Sequence, residues 1–144
     1  MDDPWWMPGW HALCDKYGDQ GYDALSAEEK VWLNVRQLID ETENGGLVAF
    51  FYNSGADTLP DCLTALDTLG AWKVKSQVER VVALFPGGVP KTLDERNEVI
   101  DSWEEEETDE TLEEIDEKLY SLFEKLEVKL EQYVRSHRLA VTSA

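Results

Sequence analysis

The last third of the sequence contains a long series of apolar residues whose positions advance by three or four. This spacing places them along one face of an α-helix, as a stripe that has to be buried. The stripe predicts one amphipathic helix of about six turns. A chain of 144 residues has the size of a single domain, so we expect this helix to pack on the remainder of that domain. The stripe consists of Leu112, Ile115, Leu119, Leu122, Phe123, Leu126, Leu130, Tyr133 and Val134.

A second helix is indicated by its boundary residues. Ser26-Ala27-Glu28-Glu29 has the capping-box pattern, in which the serine oxygen and the third helical glutamate satisfy each other's backbone amides. The helix that follows carries its own apolar stripe, and Asn44-Gly45-Gly46 provides the flexible backbone that ends it. Residues 47–52, which come next, are typical of either a buried strand or a short buried helix, and we expect the helix.

Further helices are predicted before and after these two helices. Asp57 or Thr58 caps a helix that ends at Gly70, with Pro60 in its first turn. Another runs over residues 72–85 until Pro86-Gly87-Gly88 breaks it, and Thr92 opens the next with a second capping-box pattern. A short helix over residues 10–17 completes the set.

These patterns predict an all-α fold, as a single compact multi-helix domain with a long acidic C-terminal amphipathic helix. We divide the chain into an aromatic-rich N-terminal segment that packs on the domain (1–21), the helical domain (22–136) and a C-terminal tail (137–144). The side chains expected in the core include Trp32, Phe50, Leu66 and Phe85.

Charge is the strongest anomaly of the sequence. There are 31 acidic and 13 basic residues, a net charge of −18, and residues 101–144 carry half of the excess. Within the acid-rich stretch, residues 101–117, eleven of seventeen positions are acidic and none is basic. We take these acids as the candidate partner-binding residues: Asp101, Glu104, Glu105, Glu106, Glu107, Asp109, Glu110, Glu113, Glu114, Asp116 and Glu117.

The spacing of these charges is close to that of DNA. A helical acid-rich stretch would carry one carboxylate about every 2.3 Å of its axis, and duplex DNA carries one charge about every 1.7 Å. Like charges three or four residues apart also oppose helix formation, so folding alone does not select them. Two other interpretations stay open, a solvated acidic face and a disordered acidic linker over residues 104–110. General salt adaptation would instead spread the acids evenly. We also expect residues 104–107 to be a hinge, with Thr108 or Asp109 capping a fresh helix.

Several functional classes are disfavoured. Phosphate backbones and anionic lipids need a basic footprint, so we expect no direct binding of nucleic acid or membrane. The N-terminus lacks the basic and apolar regions of a secretory signal and no apolar run is long enough to cross a bilayer, which predicts a soluble, cytoplasmic protein. No catalytic or cofactor motif is present, so we expect no enzyme activity and no cofactor. His11, Cys14, Cys62 and His137 lack the spacing of a zinc site.

The N-terminal tryptophans have two interpretations. Tryptophan is enriched at the centres of binding interfaces, which makes Trp5 and Trp6 candidates for contact with a partner. Trp10 and Tyr17 are instead expected to pack on the helical core.

The middle of the chain resembles a bacterial family of DNA-mimic-protein-like domains, formerly a domain of unknown function. The resemblance rests on Leu25 to Lys30, Asn44-Gly45-Gly46, Phe50 to Gly55, Ala65 to Ala71 and Val81 to Pro86, with a closing acidic helix, and covers roughly residues 22–136. It implies an all-helical fold. The family takes its name from a member whose acidic dimer imitates duplex DNA on a transcription factor.

Charge and resemblance together favour an acidic DNA mimic that occupies the DNA-binding surface of a basic partner, such as a transcription factor or nucleoid protein. A homodimer is one option for its assembly. The alternatives are an immunity protein that neutralises a basic nuclease toxin, and an acidic protein-interaction scaffold with no DNA-related role.

Overall fold

The structure, a computed structural model, describes residues 4–103 and 106–140, with the backbone alone for residues 106 and 107. These residues form seven α-helices and two short 3-10 segments, and no strand occurs among them, which confirms the all-α prediction. The helices are α1 (Met7–Gln20), α2 (Ala27–Gly45), α3 (Leu47–Tyr52), α4 (Leu59–Thr68), α5 (Trp72–Val82), α6 (Leu93–Asp101) and α7 (Glu106–Ser136); the 3-10 segments are Tyr22–Ala24 and Ser54–Thr58.

Helices α2 and α7 contribute the two largest sets of core side chains. α2 packs against α3, α4 and α7, and α7 also packs against α3 and α5. The apolar stripe of α7 is buried at Ile115, Leu119, Leu126 and Leu130, as its periodicity predicts. The four core side chains expected from the sequence, Trp32, Phe50, Leu66 and Phe85, are all buried.

Two local predictions are confirmed, the capping box of α2 and the helix over residues 47–52. The Oγ of Ser26 accepts from the amide of Glu29, and the Glu29 carboxylate accepts from the amide of Ser26, which completes the capping box. Residues 47–52 form the short buried helix α3 rather than a strand. The second capping position is also used, since Thr92 Oγ1 accepts from the Glu95 amide at 3.3 Å.

Three helix boundaries differ from expectation. α1 is longer than predicted because Pro8 lies in its first turn, where a missing amide is tolerated. α5 ends at Val82 rather than near Phe85, since the residue before Pro86 is disfavoured in a helix. α7 begins at Glu106, so neither Thr108 nor Asp109 is its N-cap. The expected hinge falls partly on residues 104 and 105, which lie outside the described residues.

The start of α1 lies against α2 and against Ala140. Trp10 packs on Trp32 with ring centroids 5.6 Å apart, as predicted. Gly9 lies so close to the C-terminal end that an added Cβ would come within 2.5 Å of Ala140 Cα. The prediction for Tyr17 is wrong, because this ring stays 39% exposed. The domain boundaries remain a prediction.

Candidate partner-binding surface

The predicted acidic residues lie on two helices. Asp101 is the last residue of α6, and residues 106–117 form the first part of α7. Glu104 and Glu105 lie outside the described residues, and so do the side chains of Glu106 and Glu107. The structure therefore places seven of the eleven candidate side chains on α6 or α7, and these seven do not have the same surroundings.

Four acids of α7 form an exposed face, which we call the α7 acidic face: Asp109, Glu110, Glu113 and Glu117. At 3.6 residues per turn these positions span an arc of about 100°. The buried side chains of Ile115 and Leu119 point to the other side of the helix. Within the described part of the chain, none of the four carboxylates makes a hydrogen bond or an ion pair. They are therefore free to meet cations from another molecule.

Glu114 differs because it is already paired. Its Oε1 lies 3.3 Å from Arg80 Nη1 on α5 and 3.1 Å from Lys118 Nζ one turn further along α7. The hydrogen bonds from Lys118 and Arg80 hold the pKa of Glu114 below its usual range. This carboxylate links α7 to α5 and is less available to a partner.

Asp116 is a structural residue. Its side chain is half-buried, and Oδ1 accepts a hydrogen bond of 2.8 Å from the amide of Leu47, the first residue of α3. Burial, and secondarily the charge of Glu113, raises the pKa of Asp116 although the Leu47 bond opposes the shift. A partner would have to break this bond to reach the carboxylate.

Asp101 is held by an aromatic hydroxyl. The Tyr52 hydroxyl of α3 donates to Asp101 Oδ1 at 3.0 Å, and this bond raises the pKa of Tyr52. Asp101 is exposed at the end of α6, so one of its oxygens bonds within the protein while the side chain still faces solvent.

Sequence reasoning missed acids on α2 that lie beside α7. Arg36 Nη2 lies 2.8 Å from Asp40 Oδ1 and 3.3 Å from Glu127 Oε1, which joins the two helices. Burial raises the pKa of Glu43, and the charge of Glu127 adds to the shift. The i,i+4 spacing of Arg36 and Asp40 was visible in the sequence, but their position next to α7 depends on the tertiary fold.

The N-terminal tryptophans cover two arginines of this region. The guanidinium carbon of Arg36 lies 5.3 Å from the Trp6 ring centroid, and that of Arg135 lies 4.3 Å from the Trp5 ring centroid. Both contacts are cation–π interactions. The rings therefore have intramolecular partners, and their contact with another protein remains a prediction.

Helix α7 separates its charges by side. Beyond the α7 acidic face, Glu124, Glu127 and Glu131 continue on the same side as Asp109, Glu113 and Glu117, all within an arc of about 80°. The three lysines of the helix, Lys118, Lys125 and Lys129, fall within about 40° of one another on the opposite side of the buried stripe. From Asp109 to Glu131 the flank of α7 that faces α2 is acidic, and from Lys118 to Lys129 the flank that faces α5 is basic.

Metal ligands, thiols and membrane-spanning length are further features of the described residues. Over residues 4–103 and 106–140, no group of three or more His, Cys, Asp or Glu side chains is placed to hold a metal ion. Cys14 is exposed and Cys62 is buried, both as free thiols. Among the described helices, none is long and apolar enough to cross a membrane.

A family model described as DMP19-like protein matches residues 23–137. No curated protein and no solved structure matches the chain. The matched segment begins in the 3-10 segment that precedes α2 and ends one residue after α7. It therefore contains the helices that carry the acidic side chains described above.

Proposed function

Because the chain belongs to the DMP19-like protein family, we propose that it is an acidic DNA mimic that occupies the DNA-binding surface of a basic protein. The partner is a transcription factor, a nucleoid protein or another protein that normally holds phosphates. The α7 acidic face is the observation that carries this proposal, because its four exposed carboxylates have no cation beside them within the described residues.

The spacing along α7 supports the proposal. From Asp109 to Glu117 the four carboxylates cover about 12 Å of helix axis, with a mean spacing of about 4 Å between successive charges. A single strand of B-DNA carries one phosphate every ~3.4 Å. Glu114 and Asp116 do not enter this count because they are engaged within the protein. The face therefore corresponds to one DNA strand rather than to the duplex.

The acidic flank is also long enough to meet a DNA-binding surface. From Asp109 to Glu131 it extends over about 33 Å, close to one turn of the double helix, which separates the half-sites of many dimeric regulators. Glu43 of α2 widens it beside Glu127, whereas Asp40 and Glu127 are themselves paired with Arg36. The exposed carboxylates of the flank can engage basic side chains that otherwise contact DNA.

Folding does not account for the α7 acidic face beyond Asp109, which lies in the first turn of α7 where the helix dipole favours an acid. Asp109 and Glu113, like Glu113 and Glu117, are one turn apart, and each such like-charge pair destabilises a helix by about 0.2–0.5 kcal/mol. The apolar stripe of α7 already specifies the helix. A binding role gives a reason for acids to be kept where they reduce stability.

The experiment compares two variants with equal charge changes. The α7 acid variant combines Asp109→Asn, Glu110→Gln, Glu113→Gln and Glu117→Gln. The control acid variant changes exposed acids that make no hydrogen bond or ion pair in the described structure: Asp15→Asn, Asp19→Asn, Asp23→Asn and Glu98→Gln. Both variants raise the net charge by the same amount.

Tagged forms of the three proteins are used to capture partners from a lysate of the source organism, and the captured protein is then purified. We expect the parent and the control acid variant to displace a DNA duplex from this partner in a fluorescence anisotropy titration. The α7 acid variant should displace it at least tenfold less well, since several charge-assisted contacts are lost together.

Equal displacement by the α7 acid variant and the parent would reject the α7 acidic face as the binding surface. A captured partner that binds no DNA would reject DNA mimicry and leave an interaction scaffold. If the partner is a nuclease whose cleavage stops on binding, the protein is an immunity protein that uses the same surface.

A further inference from the structure

A groove between α5 and α7 has the opposite charge to the rest of the molecule. It contains a cavity of about 300 Å³ lined by Trp72, Lys73 and Val74 of α5 and by Leu122, Lys125, Leu126 and Lys129 of α7. An adjacent cavity of about 280 Å³ shares Lys73 and Leu122 and reaches Lys118. We call the two together the basic groove. It brings together four of the 13 lysine and arginine residues of the chain.

Two of the four lysines of the basic groove have no partner among the side chains that the structure describes. Lys73 and Lys125 are exposed, and neither forms an ion pair with a side chain that the structure describes. Lys129 donates to the carbonyl of Gly70 at 3.1 Å, and Lys118 pairs with Glu114. In a protein with 31 acidic residues, two unpaired neighbouring lysines form a local site for an anion.

Trp72 is the second unusual feature of the basic groove. Its side chain is 71% exposed, the largest exposed fraction among the large apolar side chains described. The floor beside it is apolar, formed by Val74, which is buried, with Leu122 and Leu126. An exposed indole next to an apolar floor gives a partner side chain a surface to stack on.

The position of Lys73 is not explained by the stability of α5. Lys73 lies in the first turn, at the positive end of the helix dipole, where an acidic residue is favoured and a cation is not. No acidic residue lies in that turn, and no side chain caps the helix at Ala71. The first turn of α5 therefore adds to the positive potential of the groove.

We propose that the basic groove binds an acidic segment of a partner protein, with an aromatic or aliphatic side chain packed against Trp72 and carboxylates paired with Lys73 and Lys125. From Lys118 to Lys129 the groove extends for about 16 Å along α7, room for about five residues of an extended strand. This goes beyond the proposed function, because it uses the opposite flank of α7 and a partner surface of the opposite charge.

The charge of the molecule decides between occupants. A nucleic acid strand is anionic along its whole length and would be repelled by a protein with a net charge of −18. A short segment with a few carboxylates and an apolar anchor matches both the lysines and the floor. Its charges need extend no further than the groove.

The test uses an array of acidic octapeptides in which leucine, phenylalanine or tryptophan is placed at each position in turn. Each peptide has two counterparts, one with glutamine for every acid and one with serine for the apolar residue. Peptides that bind are then titrated against the 144-residue protein in solution by fluorescence anisotropy. We expect acidic peptides with an apolar residue to bind more tightly than either counterpart, and their affinity to fall with added salt.

Groove variants locate the binding. Trp72→Ala should weaken binding about tenfold, as loss of an interface tryptophan does, and Trp72→Phe should weaken it less because a ring remains. Lys73→Gln and Lys125→Gln should each weaken it up to about fivefold. The matched controls are Lys91→Gln, an exposed lysine elsewhere, and Tyr17→Ala, an exposed aromatic ring on α1. Circular dichroism verifies that every variant is folded.

Three outcomes would overturn the proposal. The first is that no acidic peptide binds better than its glutamine counterpart. The second is that binding is unchanged by Trp72→Ala and Lys73→Gln, or equally changed by the controls. The third is that the groove has another occupant, shown by a single-stranded oligonucleotide binding as tightly as the best peptide, or by Trp72→Ala converting a dimer into a monomer in sedimentation.

Discussion

The carboxylate of Asp116 on α7 accepts a hydrogen bond of 2.8 Å from the backbone amide of Leu47, the first residue of α3. The bond joins residues 69 positions apart in the chain. Helix α3 has no side-chain cap of its own at Gly46, so Asp116 satisfies one of its free amides from outside. Asp116 belongs to the acid-rich stretch by sequence, but its role in the structure is to cap α3.

Two replacements of Asp116 distinguish the contribution of its hydrogen bond to stability from that of its charge. Asp116→Ala should lower the free energy of unfolding by about 1 kcal/mol or more, as loss of a helix cap does. Asp116→Asn keeps an acceptor oxygen and should be at least as stable as the parent at neutral pH, because the raised pKa of Asp116 means that the folded state disfavours its charge.

The pH dependence provides the check. A raised pKa in the folded state means that this group's contribution to stability increases as pH falls through that pKa. The advantage of Asp116→Asn over the parent should therefore be largest at neutral pH and shrink on acidification. Urea unfolding at several pH values measures it, and an advantage that grows in acid would contradict the argument.

Gly46 lies against the same Asp116 carboxylate. Its φ of +81° and ψ of 168° belong to a region that is essentially restricted to glycine, and an added Cβ would lie 2.5 Å from Asp116 Oδ2. Gly46→Ala should lower the free energy of unfolding by about 1–3 kcal/mol. Gly18→Ala is the matched control, because Gly18 lies within α1 with nothing near its Cβ position. It should stabilise the protein by about 0.5–1 kcal/mol, as thermal unfolding of both variants would show.

The helices could be predicted because their signals are local. Ser26 with Glu29, and the apolar stripe from Leu112 to Val134, depend on neighbours three or four positions away. The composition of the candidate surface was equally visible as acids without bases. The sequence did not show which of these acids bond within the protein, since Asp116 bonds to α3 and Glu114 to α5. Only the i,i+4 spacing of Glu114 and Lys118 was visible in α7 itself, whereas the bonds from Arg80 and Leu47 depend on the tertiary fold.

Arg96 was also invisible to pattern reasoning. It is fully buried, and its guanidinium donates to the carbonyls of Phe51, Asn53 and Lys91 and to Asp57 Oδ1. No pattern in α6 marks Arg96 as buried, because its acceptors are brought around it by the tertiary fold. The acceptors lie up to 45 positions away in sequence.

Removal of the Arg96 guanidinium should strongly lower the free energy of unfolding. Arg96→Met leaves several carbonyls without donors and should lower the free energy of unfolding by about 3 kcal/mol or more. Asp57→Asn should cost only about 1 kcal/mol, because Asp57 is half-exposed and the carbonyl bonds of Arg96 remain. Chemical unfolding measures both, and equal losses would mean that the ion pair outweighs the backbone bonds.

The two thiols should differ in reactivity. Cys62 is buried, and burial raises the pKa of its thiol to about 12. Partial burial, and then the charges of Asp15 and Asp40, raises the pKa of Cys14. With a thiol reagent the folded protein should react slowly at Cys14, faster as pH rises, and Cys62 should react only after unfolding. Two fast equivalents in the native protein would contradict the burial of Cys62.

Salt should reveal the repulsion within the α7 acidic face. At low ionic strength the α7 acid variant should be more stable than the parent by about 1 kcal/mol, because it removes several like-charge pairs of about 0.2–0.5 kcal/mol each. Glutamine and glutamate have similar helix propensities, so the helix itself should be retained.

The difference should nearly vanish in about 1 M salt, where the screening length falls to ~3 Å. Thermal unfolding at both ionic strengths measures it, and the control acid variant should gain less, because within a helix it removes one such pair, Asp15 and Asp19 on α1, while Asp23 and Glu98 lie on other elements. If the parent and the α7 acid variant are equally stable at low salt, these carboxylates do not oppose folding. The stability argument for a binding role would then fail, whatever the partner assay finds.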